Sequence, residues 1–515
     1  MNINTLTSKR WIVGIFAFLL LLFAFFPVQA DSPVTEPDTD EAEAAENAIF
    51  LPIVPFGTQS SVDPTATPSA APTKSPTPPP PGYPAGDTTY YISPAGDDSR
   101  SGLSEAEAWA TFALAWQRMR PGDSLVLMDG VYYQSLDPGI SGQAGNPITI
   151  KAHHDGKAII DGQRVRDPVY LRGNRHFFII EGIVAKNGNT ISGNGNVIKI
   201  ESDYNIFRRV SAYDANTDAN STVIRIPGDY NLVEDCVAYG TGRKMIMTMG
   251  AHNTIRRCFA DWRSWDGRDR SNCWPWGDGI EIYNGDYNII ENSISYSRNP
   301  TQSINVLAQG GNPAIGNKVL GSMAILSGMN EDGTPMVWGD TRPQPTEYTC
   351  VRNFDWPGQR AGFNVYESGS AQIGNLWQDI FAYGSAGLGV AWVTGVASPE
   401  TNNNRIIRAT VFNNGLDNPD HWGGIHTDAI QSDLDKFDSV GNSFIQNIYL
   451  GSGNNKTMNG EGARLTHRYV DGELTNEPLW PWPMEDRIQA ELGISVTDMM
   501  TNLIFGTSDL SEIYP

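Results

Sequence analysis

The chain has 515 residues, with 36 Lys+Arg against 58 Asp+Glu and a formal net charge of −22. That balance argues against nucleic acid or an anionic membrane surface as a partner. A polyanionic ligand would need cations placed locally, or a bridging Ca²⁺, to be held at all.

Lys9 and Arg10 precede an apolar run from Trp11 to Phe26, and Val28-Gln29-Ala30 offers a small-residue cleavage site. This pattern predicts a secretory signal peptide over residues 1–30, and hence a secreted or cell-surface protein. The run is short for a membrane span, and an uncleaved anchor is the alternative. Residues 31–87 open acidic and become a Pro/Thr/Ser tract, VDPTATPSAAPTKSPTPPPPGYP. Such a tract favours extended polyproline conformations and cannot bury a core, so it is predicted to be a disordered linker or stalk.

The folded domain is predicted over 88–460, with a cap and first strands in 88–160. YYISPAGDDSRSGLSEAEAWATFALAWQRMRPGDSLVLMDGVYYQ holds a strand, a helix and a second strand. Ala108, Phe112, Leu114 and Met119 give the helix between Glu105 and Met119 an apolar side. A helix there would cover the open apolar end of a solenoid.

One phrase then recurs four times: DYNIFRRVSAY (203–213), DYNLVEDCVAY (229–239), AHNTIRRCFAD (251–261) and DYNIIENSISY (286–296). One copy cannot bury its apolar face alone, so the copies must stack. Asn205, Asn231, Asn253 and Asn288 share a position and suit an amide ladder. Three residues on come Arg208, Glu234, Arg256 and Glu291, and one further Arg209, Asp235, Arg257 and Asn292. Both columns alternate in sign or end on a neutral residue, as strands about 4.8 Å apart in parallel register require. Val210, Cys236, Cys258 and Ser293 form a column of small residues suited to an interior. Cys236 and Cys258 are either a disulfide or two stacked thiols. These features predict a parallel β-helix of about ten coils over 160–455.

With these Asn-turn coils, YYISPAGDDSRSGLS, RPGDSLVLMDGVYY, AGNPITIKA and AIIDG resemble the opening segment of secreted right-handed parallel β-helix proteins, the pectate-lyase-like group. The resemblance covers roughly 88–450. It implies an all-β right-handed parallel β-helix and a place among polysaccharide lyases, hydrolases, epimerases and non-catalytic proteins.

Later strands are predicted at 302–309, 362–369, 387–395 and 428–433, with Asn317, Asn375, Asn404 and Asn442 as turn residues. Residues 461–515 read as an extended Pro/Trp segment and two short helices, a C-terminal cap.

A second strand recurs before each Asn turn: VIKI (197–200), VIRI (223–226), IMTM (246–249) and GIEIY (279–283). Its outward column would hold Lys199, Arg225, Met247 and Glu281, extended by Asn305 and Asn364. That row is either a sugar-binding groove or an ordinary solvated face. Asp278 and Asp428 each precede such a strand, with His426 and Gln431 beside Asp428. Trp262, Trp265, Trp274 and Trp276 lie in the preceding insertion and would stack on sugar rings or pack that loop down.

Asp278, Glu281, His426 and Asp428 are therefore the candidate catalytic residues. Asp278, Glu281 and Asp428 are candidate Ca²⁺ ligands. Lys199, Arg225, the four Trp, Asn305, Asn364 and Gln431 are candidate substrate contacts. The expected partner is a polysaccharide, bound by a monomer. The functional expectation is a lyase cleaving an acidic glycan by β-elimination. The alternatives are a non-catalytic glycan-binding or envelope protein and a glycoside hydrolase.

Overall fold

The computed structural model describes residues 86–505 except 218, 265–276, 298–301, 329–360, 386, 397–399, 413, 415–424, 428–442, 446–447 and 451–461. All of them belong to one unit, Ser75–Pro515. The expected signal segment and all but the end of the linker fall outside the described residues. So do Trp265, Trp274, Trp276, Asp428, Gln431 and Asn442. No helix among the described residues is long and apolar enough to cross a membrane.

The chain winds as a right-handed parallel β-helix, the hand that parallel crossover connections take. Three sheets run its length. The first has 12 strands, from Thr89–Ile92 to Ser443–Ile445. The second has 11, from Gly130–Tyr132 to Ile448–Leu450, and the third 9, from Val169–Leu171 to Ile425–Thr427. Coiling starts earlier than the expected residue 160. Thr89–Ile92, Ser124–Leu127 and Ile148–Ala152 are already the first rungs of the first sheet. Their apolar residues Ile92, Leu125, Leu127, Ile148 and Ile150 continue the same core. The interior is a set of vertical stacks, such as Ile150, Ile180, Phe207, Val233, Ile255 and Ile290, each in register with the next and buried. Each such side chain contributes about 1.5–3 kcal/mol by leaving water.

The predicted helix divides in two. Residues Glu105–Glu107 form one 3-10 turn and Phe112–Arg118 an α-helix capped by Thr111, whose Oγ1 accepts the Leu114 N–H at 3.3 Å. Between them the Trp109 N–H donates to Tyr91 O at 2.9 Å, drawing that stretch out of helix and alongside the first strand. Phe112 and Ala115 enter the core.

The amide ladder runs from Asn205 to Asn404. The backbone N–H of Asn205 donates to Asn231 Oδ1 at 2.9 Å, that of Asn231 to Asn253 Oδ1 at 2.8 Å, and that of Asn253 to Asn288 Oδ1 at 2.8 Å. Asn317, Asn375 and Asn404 continue it. The expected charge alternation is present too: Arg208 lies between Glu181 (3.3 Å) and Glu234 (3.0 Å), and Arg256 between Glu234 (3.7 Å) and Glu291 (2.9 Å). Cys236 and Cys258 are buried free thiols. The residue before each of the four repeat Asn is left-handed, and so is Phe177 one coil earlier: Phe177, Tyr204, Tyr230, His252 and Tyr287 have φ of 60°, 59°, 56°, 59° and 55°. This conformation is costly away from Gly. The rings stack at 5.1, 5.0, 4.6 and 5.2 Å, which offsets part of that cost.

The C-terminal segment, read from sequence as a cap, makes its described contacts along the flank. A hairpin, His467–Val470 with Glu473–Pro478, meets the first sheet at Arg256 and Glu291, and two helices, Glu485–Leu492 and Val496–Phe505, lie against the second sheet. Trp480, Trp482, Ile488 and Met500 form one apolar cluster with Phe259, Ile294, Met323 and Phe381. Polar contacts extend it: Arg487 reaches Asp155 at 2.5 Å, and Asp471 meets Arg256 at 2.7 Å.

Candidate functional site

The third sheet carries the predicted outward row in strict register. Tyr170, Lys199, Arg225, Met247, Glu281, Asn305, Asn364, Ala391 and His426 are successive partners across nine strands. The two centres weighed from sequence therefore lie on one line, but four strands apart. That is about 19 Å at 4.8 Å per strand, so His426 cannot share a reaction centre with Glu281.

A cavity of about 580 Å³ opens over the middle of this row. Arg225, Arg243, Lys244, Asp278, Glu281, Tyr283, Gln302, Asn305 and Asn364 are among the residues lining it. Lys244 and Asp278 stand at the first positions of adjacent strands and are in register. Just after Lys244, Met245 and Ile246 are both in the core, so the chain bends there and Lys244 turns to the cavity. The Lys244 ammonium touches Glu281 Oε2 and lies 3.7 Å from Asp278 Oδ2. It also sits 4.8 Å from the centre of the Tyr283 ring. Asn305 Nδ2 donates to Glu281 Oε1 at 3.1 Å, and Asn364 Nδ2 to Asn305 Oδ1 at 3.0 Å.

Burial pushes the Asp278 carboxyl up to about 7, with the Glu281 charge adding to the rise and Lys244 and Arg243 opposing it. Its Oδ1 is buried without a hydrogen-bond partner. Burial likewise lowers the Arg225 guanidinium from its ordinary value, since desolvation disfavours the charge. Arg225 Nη2 lies 3.2 Å from Met249 Sδ, its Nε is unpartnered, and no carboxylate among the described residues comes within ion-pair distance. Lys199, by contrast, is held by Glu201 at 2.5 Å and by Tyr170 Oη at 3.3 Å.

Trp262 corrects the sequence reading. It is 1% exposed, and its Nε1–H donates to Gly242 O at 2.6 Å. Its ring packs in the core against Gly277, where an added Cβ would fall 2.4 Å from it. It cannot stack on a sugar. Two of the three candidate Ca²⁺ ligands can be placed. Asp428 lies outside the described residues, and Asp278 and Glu281 close on an ammonium.

Sequence reasoning missed Lys244, Arg243, Tyr283 and Gln302. A signal was there: Arg243-Lys244 stands immediately before the apolar Met245-Ile246, in the place Asp278 holds before Gly279-Ile280. Gly279 makes that place possible. A Cβ there would lie 1.8 Å from Ser295 Oγ and 2.7 Å from Ser303 O. Gly279→Ala should therefore cost about 1–3 kcal/mol by overpacking, read as a lower urea midpoint. An unchanged midpoint would show that the strand yields freely.

The three-sheet coil with its Asn ladder is the pectate-lyase-like right-handed parallel β-helix. Within it, a family model described as Chondroitinase B matches residues 110–261. The uncharacterized protein YwoF of Bacillus subtilis (strain 168) is 31% identical over 80 residues, 16% of this chain and 17% of that protein. The chain thus matches less than a fifth of that relative's length. Among solved structures, a rhamnogalacturonan lyase superposes with a TM-score of 0.44 at 15% identity, covering 79% of this chain and 99% of that one. A glycoside hydrolase gives 0.41 at 10% identity, covering 71% and 96%. Pectate lyase Pel9A gives 0.39 at 17% identity, covering 63% and 80%.

Proposed function

We propose that this protein is an exported polysaccharide lyase that cleaves a uronate-containing chain by β-elimination at the cavity over Arg225, Lys244, Asp278 and Glu281. The observation that carries the reading is Arg225, a half-buried guanidinium with no carboxylate at ion-pair distance among the described residues, lining the same cavity as a carboxyl poised near neutrality. A partly desolvated cation without a carboxylate partner is costly, and a ligand carboxylate satisfies it by a charge-assisted hydrogen bond. The match to the Chondroitinase B family spans the strands bearing Lys199, Arg225 and Lys244, which supports a glycan-cleaving role.

In this reading Arg225 holds the uronate carboxylate and stabilises the negative charge that grows on it as C5 is deprotonated. Asp278 takes the C5 proton. The electron pair forms the C4–C5 double bond, the C4–O bond breaks, and the Lys244 ammonium gives its proton to the leaving oxygen. Glu281 positions Lys244, and Asn305 and Asn364 bind neutral hydroxyls farther along the row. Asp278 and Glu281 share one ammonium instead of facing each other across a sugar, so hydrolysis by two flanking carboxylates is the weaker reading.

The test is a panel of acidic and neutral polysaccharides, read by ultraviolet absorbance of unsaturated ends. Arg225→Met should raise KM at least about tenfold on the acidic substrate, the scale of one charged hydrogen bond. Reducing ends without absorbance would replace the lyase with a hydrolase. Binding without any new ends would leave a glycan-binding protein.

A further inference from the structure

Far from the cavity, at the N-terminal end of the coil, two imidazoles and two carboxylates from three chain segments converge. One nitrogen from each of His153 and His154 and one oxygen of Asp129 all lie within 4.8 Å of one another. The two rings meet edge to face with centroids 4.2 Å apart. His154 Nδ1 is 3.0 and 3.1 Å from the two oxygens of Asp129, and His153 Nε2 is 3.2 Å from Glu105 Oε1.

The backbone holds these groups in place. The His153 N–H donates to Leu127 O at 2.8 Å, which sets it beside the strand that leads to Asp129. The Gly130 N–H donates to Lys157 O at 2.9 Å, and the Lys157 N–H to His154 O at 3.0 Å, so the two turns interlock. Asp155, next in the chain, is gripped by Arg209 at 2.6 Å and Arg487 at 2.5 Å. The side chains remain open enough for an ion to enter: His154 is 64% exposed and His153 28%.

We propose that His153, His154 and Asp129 form a binding site for a Zn²⁺-class transition-metal ion, with Glu105 bonded to the His153 ring from outside. Two imidazoles and carboxylate oxygens are the donors such ions take, whereas Ca²⁺ and Mg²⁺ take oxygen alone. The Glu105 contact orients the His153 ring, as carboxylate partners do for metal-bound histidines. The ion would join the ends of two rungs of the first sheet. It lies apart from the proposed reaction centre and is independent of it.

Titrating chelator-treated full-length protein with zinc chloride in a calorimeter tests this directly. Wild type should bind one ion per chain at this site, with a rise in thermal midpoint as zinc is added. The double variant His153→Ala/His154→Ala should lose one equivalent and the rise. Without metal it should unfold as wild type does, because both rings are at least partly exposed. Asp129→Asn should weaken binding by about 10–100-fold. A zinc response equal in wild type and the double variant, or no binding by wild type, overturns the proposal.

Discussion

Asp278→Asn should lower turnover of the acidic polysaccharide by about 10²–10⁴-fold, the usual worth of a positioned general base, while substrate binding persists. The asparagine keeps the shape of the strand start but cannot accept a proton. In wild type, kcat/KM should rise through about pH 7 as Asp278 ionises, because burial and the neighbouring Glu281 hold its carboxyl there. Folding stability must move the opposite way. The folded carboxyl binds its proton up to about pH 7, against a reference value of 3.8. The folded state therefore holds more protons than the unfolded state between those values. The contribution is fully present below pH 3.8 and is lost as pH rises through 7. Asp278→Asn should thus flatten the fall in stability between pH 3.8 and about pH 7, measured by urea unfolding. Equal slopes in variant and wild type would mean that the carboxyl is not raised, and full activity would remove Asp278 from the mechanism.

Asn231→Asp should be the most damaging single change to the fold, at about 3 kcal/mol or more. Asn231 Oδ1 accepts the Asn205 N–H at 2.9 Å and Asn205 Nδ2 at 3.1 Å, and its own Nδ2 donates to Asn253 Oδ1 at 3.1 Å. An aspartate keeps the first two bonds but loses the third. It also sets a buried negative charge against the Asn253 carbonyl oxygen. The residue is 2% exposed, so water cannot compensate. Thermal unfolding measures the loss, and a midpoint within a degree or two of wild type would refute the ladder's energetic role.

Fold and site were legible to different depths, for a physical reason. Register is periodic: the repeats aligned Asn205 with Asn231 and Arg208 with Glu234, and the coil obeys both. The same periodicity placed Lys199, Arg225, Met247 and Glu281 on one row. What periodicity does not carry is the bend at a strand's first residue, where Lys244 and Asp278 leave the row and meet Glu281 from the side. Nor does it tell a tryptophan over the groove from one folded under it, and Trp262 is the second kind. The left-handed aromatic stack was visible as the Tyr or His before each Asn. Its conformation depends on the turn and not on the strand pattern, so only the Asn was read.

The strap of residues 467–505 along the first and second sheets bears on the order in which the chain can assemble. Asn292 and Tyr469 exchange hydrogen bonds across 177 positions, and Arg487 reaches Gly182 O across 305. The coils themselves need only their immediate predecessors and can zip up as the chain leaves the ribosome. With Ala463, which donates to Thr410, the strap has no surface to dock on until eight rungs, from Gly182 to Thr410, exist at once. Its docking is a late, long-range step of the kind that slows folding. It also turns a stack of neighbour-only contacts into one cooperative body, since rungs hundreds of residues apart now share a common brace.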